Sequence, residues 1–429
     1  MCFDGAAVMS GRHAGVQTIL RENYMTRAIY IHCFVHKLNL VICDVSKVVP
    51  YLSEFYSIVS KIYTYFNASS VTNECFKNIQ QQLLTENNNI PTSLKKWSNI
   101  RWDSRWSSVN ALIGNYKSLL LSLEELENEN DERSVDARGL LLALKVPKFI
   151  VTLFIVHKIF GIIRILSDQL KAKTMDFHKA QCLIKSVINQ IADLRDEHAF
   201  SFIYQQITTF CTEHHIDLSS TPRPIRNKKV SSRFKDVIIN STIGQRDYLN
   251  NEDDYRENLF HLTIDAVLIE LNDRFSVHNL AVLAGMSALC PDSDTFLQIN
   301  ILKAFAVQMK ADFSSLSNEM QVIKPMIKDT NTKLENIIDF YSYLLPLKQA
   351  FPIIISLIIA AMTIPVSSTT CERTFSKMKL IKTITRNTMS DNRLSDLCVL
   401  AVERDFVVDF EKLIDDFADL HKNSRILLK

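Results

Sequence analysis

The segment Ala28–Leu40, which reads AIYIHCFVHKLNL, changes its hydrophobic period part-way along. Residues 28–33 are apolar, β-branched and aromatic, a pattern typical of a short buried strand. From Phe34 onward the apolar residues return at helical spacing, and the predicted helix continues until Pro50 interrupts it. An amphipathic helix is also predicted to begin at Val16, ahead of the strand. The N-terminal block is therefore predicted in the order loop, helix, strand, helix.

Beyond Trp106 the hydrophobic pattern is almost purely helical. The chain has 8 glycines, few enough to favour long helices over a Gly-rich nucleotide-binding fold. The acidic run Glu124–Glu132 is predicted to be a solvated loop, and the Pro-, Ser- and Arg-rich segment Ser219–Lys235 a linker. The fold class is predicted to be mainly α. Further helices are predicted over residues 51–66, 109–126, 147–170, 178–195, 199–212, 259–274, 353–362 and 394–407.

Composition is typical of a globular protein. The 429 residues are 47% hydrophobic and carry a formal net charge of +2, too small by itself to indicate nucleic-acid binding. The nine cysteines form no CxxC pair, so free thiols in a reducing compartment are expected. The apolar run Ile353–Ile364 is shorter than the about 20 residues that span a bilayer. We therefore expect a soluble intracellular protein with no membrane partner and no small-molecule substrate.

Three separated blocks carry a family pattern. The first comprises Cys2–Gly11, CFDGAAVMSG, and Ile31–Leu40, IHCFVHKLNL; the second is Ile100–Trp106, IRWDSRW. The third is Pro365–Ser376, PVSSTTCERTFS, and it continues through basic and apolar positions to Arg404. Together and in this order, the blocks resemble the hAT transposases. Within that family the sequence is most similar to the domesticated zinc finger MYM-type and THAP-finger group.

The resemblance implies an RNase H-like core in which two Asp and one Glu hold divalent metal ions. Three carboxylates suit this chemistry because they balance the charge of two Mg²⁺ ions about 4 Å apart, which activate water and stabilise the leaving oxygen. By resemblance, Asp4 matches the second Asp and Glu372 matches the Glu, with a helical insertion between them. The residues that complete these motifs are Cys33, His36, Arg373 and Ser376.

The family's first Asp belongs on a strand upstream of the second, and only three residues precede Asp4 here. We therefore expect a truncated RNase H-like α/β core, a vestigial metal site and no catalytic activity in this chain. No cofactor is expected in that state, whereas a competent enzyme would hold Mg²⁺ or Mn²⁺ at Asp4 and Glu372. The predicted domains are a partial core over 1–106, a helical insertion over 107–340 and the hAT C-terminal dimerisation region over 341–429.

Some of these residues also have a plainer interpretation. Asp4 suits a common turn before a helix. Cys33 and His36 have metal-ligand spacing, but zinc needs four ligands and no second pair lies nearby, which favours a structural role. The same argument applies to a second cluster, Cys211, His214 and His215.

DNA contact is predicted at the second block and after Glu372. Trp102 and Trp106 lie four residues apart, and they either pack in the core or stack on a DNA base. Cations near Glu372 would neutralise phosphates, and binding would then be sensitive to salt. The basic segment 223–235 is a DNA contact, a nuclear-import signal or a solvated linker. The candidate DNA-contact residues are Arg101, Trp102, Lys377, Lys379, Lys382 and Arg386.

Self-association is predicted for the C-terminal region. The Ile353–Ile364 helix has almost no polar side, so it must lie in a core or in an interface. Burying about eight such side chains, at about 1.5–3 kcal/mol each, would drive folding or association strongly. The resemblance places this helix in the segment through which hAT proteins dimerise. The predicted dimerisation residues are Ile353, Ile354, Leu357, Ile358, Phe375, Leu394, Leu397 and Leu400.

The first functional hypothesis is a transposase-derived homodimer that associates with DNA, lacks strand-transfer activity and, by resemblance, works in the nucleus. One alternative is the C-terminal part of an active cut-and-paste transposase with a two-metal site. Another is a helical protein-interaction scaffold, which would show no DNA affinity even at low salt.

Overall fold

The structure is a computed structural model, and it describes residues 1–87, 93–98, 102–129, 132–172, 177–218, 251–275, 281–330, 333–403 and 407–420. The chain divides into two compact units, a first unit Met1–Ser367 and a second unit Ser368–Lys429, and each is described by itself. The division into a partial core, an insertion and a dimerisation region stays a prediction.

The described part of the chain is mainly helical, as predicted. In the first unit the helices are α1 Ala7–Ser10, α2 Val16–Asn23, α3 Phe34–Val48, α4 Pro50–Ala68, α5 Ser70–Asn87, α6 Trp102–Gly114, α7 Tyr116–Glu127, α8 Glu132–Leu144, α9 Pro147–Leu170, α10 Phe177–Asp193, α11 Glu197–Glu213, α12 Glu252–Tyr255, α13 Leu262–Arg274, α14 Ala281–Ser287, α15 Ile299–Gln308, α16 Phe313–Thr330, α17 Ile337–Leu344 and α18 Pro352–Thr363. The helices of the second unit are α19 Thr369–Ile381, α20 Asp391–Val402 and α21 Phe410–Leu420.

Two short strands pair in parallel near the N-terminus. They are β1, Cys2–Phe3, and β2, Ile31–His32, with Cys2 opposite Ile31 and Phe3 opposite His32. The predicted strand is therefore confirmed in place but is shorter than expected, and the predicted initial loop contains β1. Helices α1 and α2 connect the two strands, as a parallel pair requires. An RNase H-like identity for this part stays a prediction.

Helix α9 lies at the centre of the first unit, and its predicted range of 147–170 is confirmed. Pro147 stands in its first turn, where the fixed φ of proline favours helix initiation. The helix packs against α3, α4, α6, α8, α10 and α11. By length and composition alone α9 could also cross a membrane, but 61% of its most apolar window is buried inside the protein. Packing in the core accounts for its hydropathy.

The predicted single helix over 109–126 is wrong, because the structure contains two helices with a break at Asn115. The backbone there has φ −111° and ψ 9°. The buried Asn115 side chain donates to the Ala111 carbonyl at 2.6 Å and accepts from Gln80 of α5 at 2.6 Å. An Asn side chain that bonds to its own backbone competes with helix continuation, and here a second helix fixes it in place.

The acidic run is also more ordered than a solvated loop. Residues 124–127 belong to α7, and Glu132 begins α8. Lys145 pairs with Glu124 at 2.8 Å, and Arg138 lies 3.5 Å from Glu127. These partly exposed ion pairs connect α7 with α8 and the residue that follows it, so part of the run lies at a helix–helix contact.

A buried carboxylate holds the N-terminus of α18. Glu319, on α16, is 9% exposed, and its two oxygens accept the backbone N–H groups of Ile353 at 3.1 Å and Ile354 at 2.8 Å. These N–H groups lie in the first turn, where a helix has no acceptor of its own. A negative charge at this end is also favoured by the helix dipole. Glu319 therefore fixes α18 against α16.

We predict that Glu319→Ala lowers the free energy of unfolding by about 1–2 kcal/mol, because two buried donors lose their acceptor. Urea unfolding followed by circular dichroism measures this change. Lys324→Ala, at an exposed position on the same helix, is the matched control and should have little effect. Equal stability of the two variants would contradict the assignment of Glu319 as a cap.

Candidate functional site

Asp4 lies at the end of β1, in the turn that leads to α1. Its side chain is half-buried, and Oδ1 accepts the backbone N–H of Ala6 at 3.3 Å. The Tyr30 hydroxyl donates to the Asp4 carbonyl at 3.2 Å, from the residue before β2. The turn described as the plainer interpretation of Asp4 is present. One oxygen of the Asp4 carboxylate accepts a hydrogen bond within the turn. A role of Asp4 as a metal ligand stays a prediction.

His32 fills the space beside this turn. A Cβ atom at Gly5 would come within 2.6 Å of the His32 Cε1 atom, so this close approach requires glycine. The ring of His32 also lies 5.3 Å from the ring of His36, and its Nε2 atom is buried without a hydrogen-bond partner in the described part of the chain. Sequence analysis selected Cys33 and His36 but missed His32.

Burial is the main cause that lowers the pKa of His32 to about 4, and the charges of His36, Lys37 and Arg274 act in the same direction. Asp4 opposes them. A pKa this low keeps the imidazole neutral near pH 7, where a cation would be desolvated and repelled by its neighbours. The space beside Asp4 is therefore filled by the uncharged side chain of His32.

Cys33 and His36 serve the packing of α3. Cys33 is fully buried at the N-cap position of that helix, and His36 is half-buried. Within the described ranges, no group of three or more His, Cys, Asp or Glu side chains could hold a metal ion. A structural role for the CxxH motif stays a prediction.

A cationic contact joins α3 to α13 next to this site. Lys37 donates to the Arg274 carbonyl at 3.1 Å, and its ammonium lies 5.5 Å from the centroid of Phe34. Burial, followed by repulsion from Arg274, lowers the pKa of Lys37. Arg274 pairs with Glu270 at 3.0 Å and with Asp44. These contacts attach the end of α13 to α3 and account for the positive charges near His32.

The second sequence block contributes to the core. Arg101 lies outside the described residues, and Trp102 begins α6. Trp106 is half-buried; the Arg164 guanidinium lies 3.9 Å from its ring centroid, and the His157 ring stacks beside it at 6.3 Å. Both partners belong to α9. Packing, one of the two interpretations of Trp106, is therefore present, and contact of this block with DNA stays a prediction.

Arg105, in the same block, was not among the predicted DNA-contact residues. Its side chain is 3% exposed, and its guanidinium carbon lies 5.6 Å from the ring centroids of both Tyr56 and Trp97. It donates to the Ser98 carbonyl at 3.1 Å and to the Cys43 sulfur at 3.2 Å. Such a buried, aromatic-flanked guanidinium anchors the segment before α6 to α3 and α4.

In the cluster of Cys211, His214 and His215, the first two side chains pack against the protein interior. Cys211 is buried, and His214 lies 4.4 Å from the ring centroid of Phe210 and 4.9 Å from that of Tyr116. The basic segment 223–235 lies outside the described residues, so its three interpretations stay open.

In the second unit, Glu372 lies in the first turn of α19 and is exposed. Its Oε1 atom accepts from the Ser368 hydroxyl at 3.0 Å, and its backbone carbonyl accepts from the Ser376 hydroxyl at 2.8 Å. Both serines thus bond to Glu372 along the helix. The carboxylate is favourably placed for the helix dipole, whatever further role it has.

The predicted DNA-contact cations of α19 differ in their surroundings. Lys377 is half-buried and donates to the Ala401 carbonyl at 2.8 Å, where it caps the end of α20. Lys379, Lys382 and Arg386 are exposed. These three side chains are accessible to a phosphate, whereas Lys377 already holds α19 to α20.

The predicted dimerisation residues fall into three groups. Ile354, Leu357 and Ile358 are at most 1% exposed within the first unit, so their side chains are core and present no surface. Ile353, Leu394 and Leu397 are half-buried. Phe375 and Leu400, by contrast, are 59% and 69% exposed. One side of the 353–364 helix is packed in the core, whereas Ile359 and Met362 are 42% and 39% exposed, so a role of this helix in an interface stays a prediction.

The second unit has almost no interior. None of the described residues of α19, α20 and α21 is buried, although α19 and α20 pack on each other. Many of its large apolar side chains are exposed; they include Phe375, Leu380, Val399, Leu400, Phe410, Leu413, Ile414 and Leu420. Large apolar side chains exposed in such number are typical of an association site in a stable protein.

The C-terminal dimerisation region of the hAT family matches residues 318–406, from α16 to just beyond α20. This segment is similar to the region through which hAT proteins dimerise. The 52 kDa repressor of the inhibitor of the protein kinase from Homo sapiens is 23% identical over 420 residues, which are 95% of this chain and 53% of that protein. The Mus musculus protein of the same name is 23% identical over 431 residues, with the same coverage. The chain thus spans about half the length of these relatives, and the predicted hAT resemblance is confirmed.

We predict that His32 makes stability depend on pH. An unfolded histidine titrates near about 6.5, so the unfolded chain binds a proton at a higher pH than the folded one, whose His32 has a pKa of about 4. Stability is therefore present near neutral pH and lost as the pH falls through this window. Urea unfolding at pH 7 and pH 4.5 should show a smaller acid-induced loss for His32→Gln than for the wild type.

The matched control is His13→Gln, because His13 is exposed. This variant should keep the wild-type pH dependence. If His32→Gln also kept it, the imidazole would not be the group that resists protonation.

Proposed function

We propose that this protein is a transposase-derived homodimer that self-associates through the hAT dimerisation region, associates with DNA in the nucleus and does not cleave it. The observation that carries the proposal is the second unit, whose described helices bury no residue while exposing large apolar side chains. The match of residues 318–406 to a dimerisation region supplies the function that such a surface would have.

Dimerisation is favoured by simple energetics. Full burial of one Leu or Phe side chain contributes about 1.5–3 kcal/mol. Several exposed side chains on α19 and α20 can therefore offset the about 4–15 kcal/mol that association costs in translational and rotational freedom. A twofold dimer buries each of these residues twice. A second copy also supplies the interior that a small unit cannot form alone.

We predict that Leu400→Asp raises the dimer dissociation constant at least about a hundredfold, because a charge replaces an apolar contact in each copy. Light scattering after size exclusion, across a dilution series, measures the molar mass. Ile269→Asp is the matched control: Ile269 is 60% exposed, on α13 and outside the dimerisation region.

Wild-type protein that stayed monomeric at every concentration would refute the proposal. So would equal dimerisation of Leu400→Asp and Ile269→Asp. Ile358→Asp separates the two roles of this region, because Ile358 is 0% exposed and its replacement should unfold the first unit.

Association with DNA is proposed for the exposed cations after Glu372. Residues 369–402 contain six Lys or Arg against three Asp or Glu, a local excess of positive charge that is far denser than the net +2 of the whole chain. Lys379, Lys382 and Arg386 are exposed there, at the end of α19 and in the turn that follows.

Catalytic inactivity is proposed because Asp4 and Glu372, the two carboxylates that match the family's site, each accept a hydrogen bond from a neighbouring residue. Asp4 accepts a turn N–H and Glu372 accepts a serine hydroxyl. In the residues that the structure describes, neither belongs to a group of three potential ligands. Asp4 belongs to the first unit and Glu372 to the second, and no metal-dependent step is proposed for them. An active transposase and a helical scaffold without DNA affinity are the alternatives that the next experiment distinguishes.

We predict that the protein binds duplex DNA at low salt and that Lys382→Glu with Arg386→Glu weakens binding and reduces the salt slope by about 2, one for each lost phosphate contact. Fluorescence anisotropy over a salt series measures both. The control double variant, Lys61→Glu with Lys77→Glu, changes exposed lysines of the first unit.

In the same samples we expect no Mg²⁺-dependent nicking. Specific nicking that disappears in Glu372→Ala would instead establish the active transposase. Absence of DNA affinity at low salt would favour the scaffold.

A further inference from the structure

Helix α21 is amphipathic and lies beyond the residues that match the dimerisation region. Its apolar residues recur at helical spacing, and five of them are between 43% and 81% exposed: Phe410, Leu413, Ile414, Phe417 and Leu420. The helix contains four carboxylates and a single lysine. By helical geometry, Glu411 and Asp416 flank the apolar stripe, one on each side. This face is an apolar strip with acidic edges.

Helices α19 and α20 present the complementary chemistry. Arg373 and Leu380 lie seven residues apart on α19, and Arg393 and Leu400 lie seven apart on α20, so each pair shares one face of its helix. Both arginines are exposed. The two leucines are 80% and 69% exposed. Each helix thus offers an exposed leucine and, two turns away on the same face, a guanidinium, the group best suited to a carboxylate.

We propose that α21 of one copy docks on α19 and α20 of a second copy, with Glu411 and Asp416 facing Arg373 and Arg393, and that the exchange is reciprocal. This inference rests on the proposed dimerisation and specifies its geometry. The occupant is a second copy because the same unit carries both halves of the match, an acidic apolar strip and a basic apolar surface. A twofold axis then satisfies both halves in both copies.

The proposal accounts for two features together. It covers the exposed Leu380 and Leu400 together with the apolar stripe of α21, and it gives each acidic edge of α21 an arginine partner. Complementary charges at the rim of an apolar contact fix which surfaces meet more than they add affinity. The acidic α21 therefore determines how the two copies align, whereas the leucines supply most of the association.

A charge exchange tests this arrangement. The acidic variant carries Arg373→Glu with Arg393→Glu, and the basic variant carries Glu411→Lys with Asp416→Lys. Each should dissociate at least about tenfold more readily than the wild type, because like charges meet at the rim. Mixing the two should restore association, as heterodimers in which opposite charges meet again along both reciprocal contacts. Sedimentation velocity with one variant fluorescently labelled measures homodimers and heterodimers separately.

The control variant is Asp419→Lys, because Asp419 lies on the side of α21 away from the stripe and should leave the dissociation constant unchanged. Restoration in the mixture also excludes misfolding as the cause of the single defects. If both reversed variants dimerised like the wild type, or if the mixture stayed dissociated, the reciprocal docking would be overturned while dimerisation stood. A monomeric wild type would overturn the proposed function itself.

Discussion

The burial of α9 is the constraint on which the first unit depends. This helix has apolar residues on nearly every side, so it can be covered only if helices surround it. Its neighbours come from widely separated parts of the chain, from α3 to α11. The polar residues that face these contacts are held by partners, as Thr152 is by the Lys148 carbonyl at 2.7 Å. The same requirement brings His157 and Arg164 against Trp106 and thereby connects the second sequence block to the core.

Much of the helical architecture could be predicted because the relevant signals are local. Prolines stand in the first turn of α4, α9 and α18, and regular apolar spacing marks the length of each helix. The break at Asn115 could not be predicted, since it depends on Gln80 from another helix. Helix α5 was missed because its sequence is polar and only weakly periodic. The pairing of β1 with β2 is a contact between distant residues that no local pattern shows.

The sequence motifs identified residues of the candidate site, but they did not predict which side chains contact one another there. The sequence indicated Asp4, and the structure shows a turn that His32 completes by occupying the space of an absent side chain at Gly5. Arg105 was overlooked because surrounding a charge with Tyr56 and Trp97 needs tertiary structure. The apolar 353–364 helix was recognised as core or interface, and the position of Glu319 and of the helices around α18 shows which of its residues are buried in the core. The exposed residues of α19 and α20 were partly identified by resemblance, and α21 was not.

Because the helices of the second unit bury no residue, the stability of this unit should depend on the concentration of the protein. When a segment gains its burial only from another molecule, its order follows mass action and rises with the amount of protein present. In dilute solution such helices would fray and expose cleavable backbone, whereas at higher abundance they would be sheltered. The cell could then control the half-life of this protein simply through its rate of synthesis.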